Sequence, residues 1–354
     1  MHDFNKMSPW KDMRRCILNS DGSRFGYLDA DDSNKWEDGT LVDWATVESS
    51  GQNCMVEIPK FYSCKKVIDV PTKERIFGVS DKPIETDKIK LSDWRVDPAF
   101  YRERNKLCTD QSGVAVEVDF RYAPAFKGWV DAQGRLRSLP NKTPTVNKTI
   151  DQFRTHSSNM GNGWGMLDFN LLTAIQILYI TEYGNADSQT TIGRGYVDGN
   201  SGSIVTGNTR QYGNASFGET TGKKQMSYRG IEDLWGNVYH WVDGLCNNTS
   251  REILIGNKGF NDAGAGYKNL GVCSSGNVSG YIGDIQENAD AGFVIKTSDG
   301  SASSGGYDYG SLYSGQLPIA GGYWAYASAA GVFYCRLFST PSYSDSSVSA
   351  ALCF

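Results

Sequence analysis

The sequence predicts an α+β, loop-rich fold with a small β appendage at its N-terminus. Three observations carry this. Several short apolar runs alternate with period two, as half-buried strands do. A single stretch has a sustained helical pattern. Glycine is abundant, at 40 of 354 residues, while proline is scarce at 10, so turns are many and stiff breaks are few.

In chain order, Ile17-Leu18 and Phe25-Tyr27-Leu28 flank a Ser-Asp-Gly turn and read as a hairpin. Residues 1–48 form the expected appendage, leaving 49–354 as one main domain. Met55, Val56, Ile58, Phe61 and Tyr62 give an apolar strand interrupted at Pro59 and Lys60. Val116, Val118 and Phe120 alternate with Glu117, Asp119 and Arg121, which predicts a half-buried strand. The helix is expected within residues 162–184. Asp168 can cap it, Leu171, Leu172, Ile175, Leu178 and Tyr179 form its apolar face, and Gly184 ends it. Gln176 and Glu182 are expected on its solvated side. The IGRG run at 192–195 lacks the Gly-Lys-Ser/Thr ending of a phosphate loop and is not one. Residues 246–316 read as an insertion of short strands. Its glycine- and serine-rich end reads as a flexible loop, either a second binding surface through Tyr307, Tyr309 and Tyr313 or a solvated connection.

Composition excludes several functions. The formal net charge is −5 and no basic block occurs, so nucleic acid is not an expected partner. The three histidines (His2, His156, His240) and eight cysteines show no zinc spacing. No metal site or cofactor is therefore expected, with calcium left open through the Asp- and Asn-rich loops. No run is long enough to cross a membrane, and the first residues lack the apolar core of a signal peptide. Synthesis in a reducing cytoplasm, with mostly free thiols, is the expectation.

The most informative stretch is the last, Gly321 to Phe354. It interleaves aromatic residues with Ser, Ala, Thr and Gly, the mixture of a paratope. From Leu317 onward there is no Lys, Glu, Gln or Met, and apart from Trp324 every residue from Gly321 can be encoded by a codon ending in a pyrimidine. Repeated rewriting of asparagine codons at their adenines would leave this trace. The stretch resembles the variable region of diversity-generating retroelement target proteins, in which the end of a C-type-lectin-like domain is diversified. Tyr228 to Gly244, YRGIEDLWGNVYHWVDG, resembles the signature of the formylglycine-generating-enzyme (sulfatase-modifying) type of that fold, found also in phage tail adhesins. His240 departs from it, since a Glu usually stands there. The ending Ser349-Ala350-Ala351-Leu352 also lacks the Gly and Arg of the family.

The resemblance implies a C-type-lectin-like fold and a receptor-binding tail adhesin. Its expected partners are a host cell-surface protein or glycan and other tail proteins, its location is the virion, and its assembly is a homotrimer by analogy. By pattern, the solvent-facing variable set is Tyr323, Ala325, Tyr326, Ala327, Ser328, Tyr334, Arg336, Phe338, Ser339, Thr340, Ser342, Tyr343, Asp345 and Ser347. Trp324, Gly331, Phe333, Leu337, Ala350, Leu352 and Phe354 are expected in the scaffold. A structural tail protein without a diversified site is the alternative. A formylglycine-generating oxidase is a weaker one, because Cys335 and Cys353 are the only candidate cysteine pair near the end and lack the family's spacing.

Overall fold

The computed structural model describes residues 3–110, 113–199, 201–301 and 308–354. His2 and Tyr307 lie outside them. The chain is mostly sheet and loop, with few helices.

The first sheet has four antiparallel strands in the order Arg24–Tyr27, Arg14–Leu18, Asn53–Pro59, Phe120–Pro124. The predicted N-terminal hairpin is therefore present, but residue 48 marks no boundary. The Arg14–Leu18 strand pairs along its whole length with Asn53–Pro59. Arg15 is fully buried and donates through Nε to the Gly230 carbonyl at 2.7 Å, and the Trp10 indole donates to the Leu178 carbonyl. An appendage would not place an arginine in the core, where its charge needs partners from the main domain.

The predicted 116–120 strand is also corrected. Only Val116–Glu117 is extended there, against Tyr101–Arg102, and Val116 and Phe120 are exposed. The buried strand begins at Phe120 and turns inward at Arg121. That guanidinium is fully buried and pairs with Asp168 at 2.6 Å, a pairing that periodicity does not reveal.

Phe169–Tyr183 is the main helix. Asp168 caps it by accepting from the Leu171 amide, and Gly184 ends it at φ 61°. The helix is buried on nearly every side. Gln176 is 1% exposed and donates to the Val332 carbonyl at 2.8 Å, and Glu182 pairs with Arg229 and accepts from the Tyr228 hydroxyl. Both were expected in solvent. A second helix, Ile150–Ser158, opens with a Thr149/Gln152 capping box.

The second sheet has six strands in the order Val278–Tyr281, Tyr309–Leu312, Cys335–Ser339, Leu317–Ala320, Tyr239–Trp241, Val348–Ser349. The stretch read as a flexible loop thus supplies an interior strand, Tyr309–Leu312, parallel to Cys335–Ser339. One face of this sheet packs, through Leu312, Cys335 and Leu337, into the core that holds the main helix. The chain ends by closing on the first sheet, where Tyr122 and Phe354 exchange backbone hydrogen bonds. The Phe354 ring packs 4.9 Å from that of Trp164.

Candidate binding face

The signature stretch builds the platform. Every residue from Gln225 to Asn247 is buried. Gly236 and Asn237 turn the chain at φ 82° and 61°. The Asn237 side chain bonds the Ile204 amide and carbonyl and donates to Asp233 at 2.8 Å. Trp235 is fully buried and its indole donates to the Gly193 and Arg194 carbonyls, while the Trp241 indole donates to that of Lys148. These contacts make the motif a scaffold.

The platform then fixes the start of the terminal stretch. The Gly236 amide donates to the Gly321 carbonyl and the Trp324 amide to the Asn237 carbonyl. Gly321 and Gly322 both have positive φ, and a Cβ on Gly322 would lie 2.5 Å from that of Ala330. The Gly-Gly pair is thus required by backbone shape and by close packing. Gly331 has a second reason. A Cβ there would sit 2.0 Å from the Asp308 carboxylate, which accepts from the Phe333 amide at 2.8 Å.

Beyond this turn, the Cys335–Ser339 strand separates two kinds of side chain. Cys335 and Leu337 face the core, while Arg336 is half-buried and Phe338 is 42% exposed. The Arg336 guanidinium lies over the Phe338 ring at 3.9 Å. Of the expected variable set, Ala325, Ser328, Phe338, Thr340 and Ser342 are exposed, and Tyr323, Tyr326, Ala327, Arg336, Tyr343 and Asp345 are half-buried.

Three expected positions are buried. Tyr334 precedes the strand, so its alternation does not reach that far. The ring is fully buried against those of Tyr239 at 5.5 Å and Tyr326 at 5.3 Å, and its hydroxyl donates to that of Tyr239 at 3.4 Å. Burial, reinforced by Tyr326, raises its phenol. Ser339 shares the inward parity of Cys335 and Leu337. Ser347 is held by Asp345 and by the Tyr239 amide, which donates to its carbonyl. Trp324, expected in the scaffold, is half-buried beside Tyr323. Gly331, Phe333, Leu337, Ala350, Leu352 and Phe354 are buried.

The face extends past the terminal stretch. Tyr281 and Tyr309 stand opposite each other on the two neighbouring strands, with rings 5.8 Å apart. Tyr309 contacts Tyr326 and Tyr334, and Tyr313 meets Phe338 edge-on at 4.6 Å. Tyr281 shares a 2.8 Å hydroxyl contact with Ser328. All three tyrosines are half-buried. The result is a tyrosine-rich surface with rings from two separate parts of the sequence, one arginine and several small hydroxyls. Rings of this kind offer large contact area with little freedom to lose.

All eight cysteines are free. Cys335 and Cys353 are buried, and burial pushes their thiols up to about 12 and about 11, far from a reactive thiolate. Among the described residues there is no cluster of three or more His, Cys, Asp or Glu placed to hold a metal, and no helix long and apolar enough to cross a membrane. His240, where the resembled signature has Glu, sits 2.8 Å from Lys127, and both are buried. Burial, with Lys127 adding to it, holds the imidazole well below its ordinary value. Burial likewise lowers Lys127 and raises the carboxyl of Asp233 beside it.

No family model matches the chain, and no curated protein matches it by sequence. Solved structures similar to it include the Major Tropism Determinant I1 and M1 variants. Each is 12% identical at a TM-score of 0.34, over 83% of this chain and 72% of its own. The P3c variant is 10% identical at 0.33 over the same shares. Likeness of this degree is too distant to carry fold or function.

Proposed function

We propose that this protein is a diversified receptor-binding adhesin of a phage or prophage tail, with a C-type-lectin-like domain that displays its C-terminal stretch as a variable surface. The observation that carries the reading is the division of labour in residues 321–354. Ala325, Ser328, Phe338, Thr340 and Ser342 are exposed, while the Gly-Gly turn, Phe333, Leu337 and the final residues are locked into the core. Substitutions at such exposed positions are nearly neutral for stability, so the surface can change while the fold does not. The residue repertoire of the same stretch, which apart from Trp324 can be encoded by pyrimidine-ending codons, supports a history of adenine-directed change.

The partner is a host surface protein or glycan, and the protein is carried on the virion beside other tail proteins. A trimer would multiply the strength of weak single sites. Binding needs no metal. An oxidase role is disfavoured by the two buried thiols. The test is binding of the purified chain to candidate host cells, for the natural protein and for Y326S/F338S. Loss of binding with the fold intact supports the adhesin reading, and unchanged binding removes it in favour of a structural tail protein.

A further inference from the structure

Beside the variable face lies a cleft of about 460 Å³, built almost wholly from another part of the chain. Its walls are the 187–194 and 218–220 segments, and Ser328 is the terminal-stretch residue that lines it. The 187–194 segment includes the IGRG run that does not fit a phosphate loop. Its role here is architectural. The Arg194 amide donates to the Glu219 carbonyl at 2.8 Å, and the two backbones approach so closely that a Cβ on Gly193 would lie 2.5 Å from the Glu219 nitrogen. Gly218 is equally tight against the Ile192 carbonyl. The floor is therefore fixed.

The Ser328 wall is fixed too. Gln189 donates its amide to the Ala327 and Ala330 carbonyls, at 2.7 Å each, and the Ala327 amide donates to the Val197 carbonyl. These bonds bracket Ser328 on a rigid loop while leaving its side chain exposed.

We infer that this cleft is a constant subsite for a sugar unit, and that residue 328 sets what enters it; the inference rests on the adhesin reading. The volume falls within the range of about 300–1,000 Å³ common to small-ligand sites and is too wide for a single side-chain tip. The lining favours acceptors. Asp187 and Glu219 supply carboxylates, of which one oxygen of each already accepts, from the Thr190 amide and the Thr221 hydroxyl, leaving the other oxygen as an acceptor. Gln189 has spent its amide hydrogens on the loop and presents its carbonyl oxygen. Thr190 and Thr220 add exposed hydroxyls, Arg194 adds donors, and Ile192 adds an apolar patch. Arg194 is itself paired with Asp198 at 2.9 Å, so the carboxylates disfavour an anion. A neutral ligand with many hydroxyl donors and an apolar ring face fits this set. A serine at 328 leaves the cleft open, whereas a large ring there would close it.

The experiment uses the full chain and four methyl glycosides, of glucose, galactose, mannose and N-acetylglucosamine, with saturation-transfer NMR as the readout. N-acetyl-lysine methylamide is the basic control. At least one glycoside is expected to show transfer. Ser328→Trp and Thr220→Trp, two exposed positions that line the cleft, should each lower it at least tenfold. Melting curves matching the natural protein confirm that the tryptophan variants are folded. The inference is overturned if no glycoside responds, if transfer survives both tryptophan variants, or if only the lysine derivative binds. Its failure is separable from failure of the adhesin reading. Cell binding that is lost in Y326S/F338S but kept in Ser328→Trp upholds the face and removes the cleft.

Discussion

Between Gln225 and Asn247 every side chain is buried, whereas between Tyr323 and Ser347 exposed and buried positions interleave. Both stretches are rich in aromatic residues, so ring content does not separate them. What separates them is where their polar atoms go. In the first, Asn237, Trp235 and Trp241 spend their donors on backbone groups of distant loops. In the second, Thr340 and Ser342 contact each other at the surface, and Phe338 meets the Tyr313 ring and the Arg336 guanidinium. Where a stretch leaves positions outside such obligations, those positions are free to vary.

The largest effect expected from breaking this contrast is at Trp235. Trp235→Ala removes a fully buried ring and should cost about 3–5 kcal/mol, read as a large fall in denaturation midpoint. Tyr334→Ser follows. Although it lies within the terminal stretch, it should behave as scaffold and cost about 3 kcal/mol or more, because its ring is fully buried against Tyr239 and Tyr326. A near-neutral result would return Tyr334 to the displayed set.

A smaller effect is expected from pH. The folded His240 value lies well below 6.5, so as pH falls through that region the unfolded chain gains a proton that the folded chain refuses. Stability contributed by the neutral buried imidazole is therefore lost on acidification. In His240→Gln, melting temperature should fall less steeply between pH 7 and pH 5 than in the natural protein. Parallel profiles would show that the Lys127 and Asp233 cluster, rather than His240, sets the slope. The smallest effect is for metal removal. EDTA should change neither melting temperature nor cell binding, and a loss of binding would point to a calcium ion at the face.

Much of this arrangement is legible in the residues. Asp168 and Gly184 bound the main helix because capping chemistry is local. The strand from Cys335 shows its two faces by parity, and that parity places Ser339 inside, where composition alone suggested display. Long-range obligations are not legible. Nothing near Arg15 in sequence announces Gly230 as its partner, and nothing near Gln176 announces Val332. For the same reason the N-terminal hairpin read as an appendage, and Tyr309–Leu312 read as a loop rather than the strand beside Cys335–Ser339. Tyr309 and Tyr313 stand out in the sequence as candidate contact residues, whereas Tyr281 joins the candidate face only through its pairing with Tyr309.

The most direct measurement compares two libraries under protease selection of displayed protein. One randomises Ala325, Ser328, Phe338, Thr340 and Ser342, and the other randomises Trp235, Asn237, Trp241, Phe333 and Tyr334. Survival of most members of the first library and almost none of the second is the predicted result. Comparable losses in both would mean that the terminal stretch is bound to the core like the rest of the chain, and would contradict its role as a displayed, changeable surface.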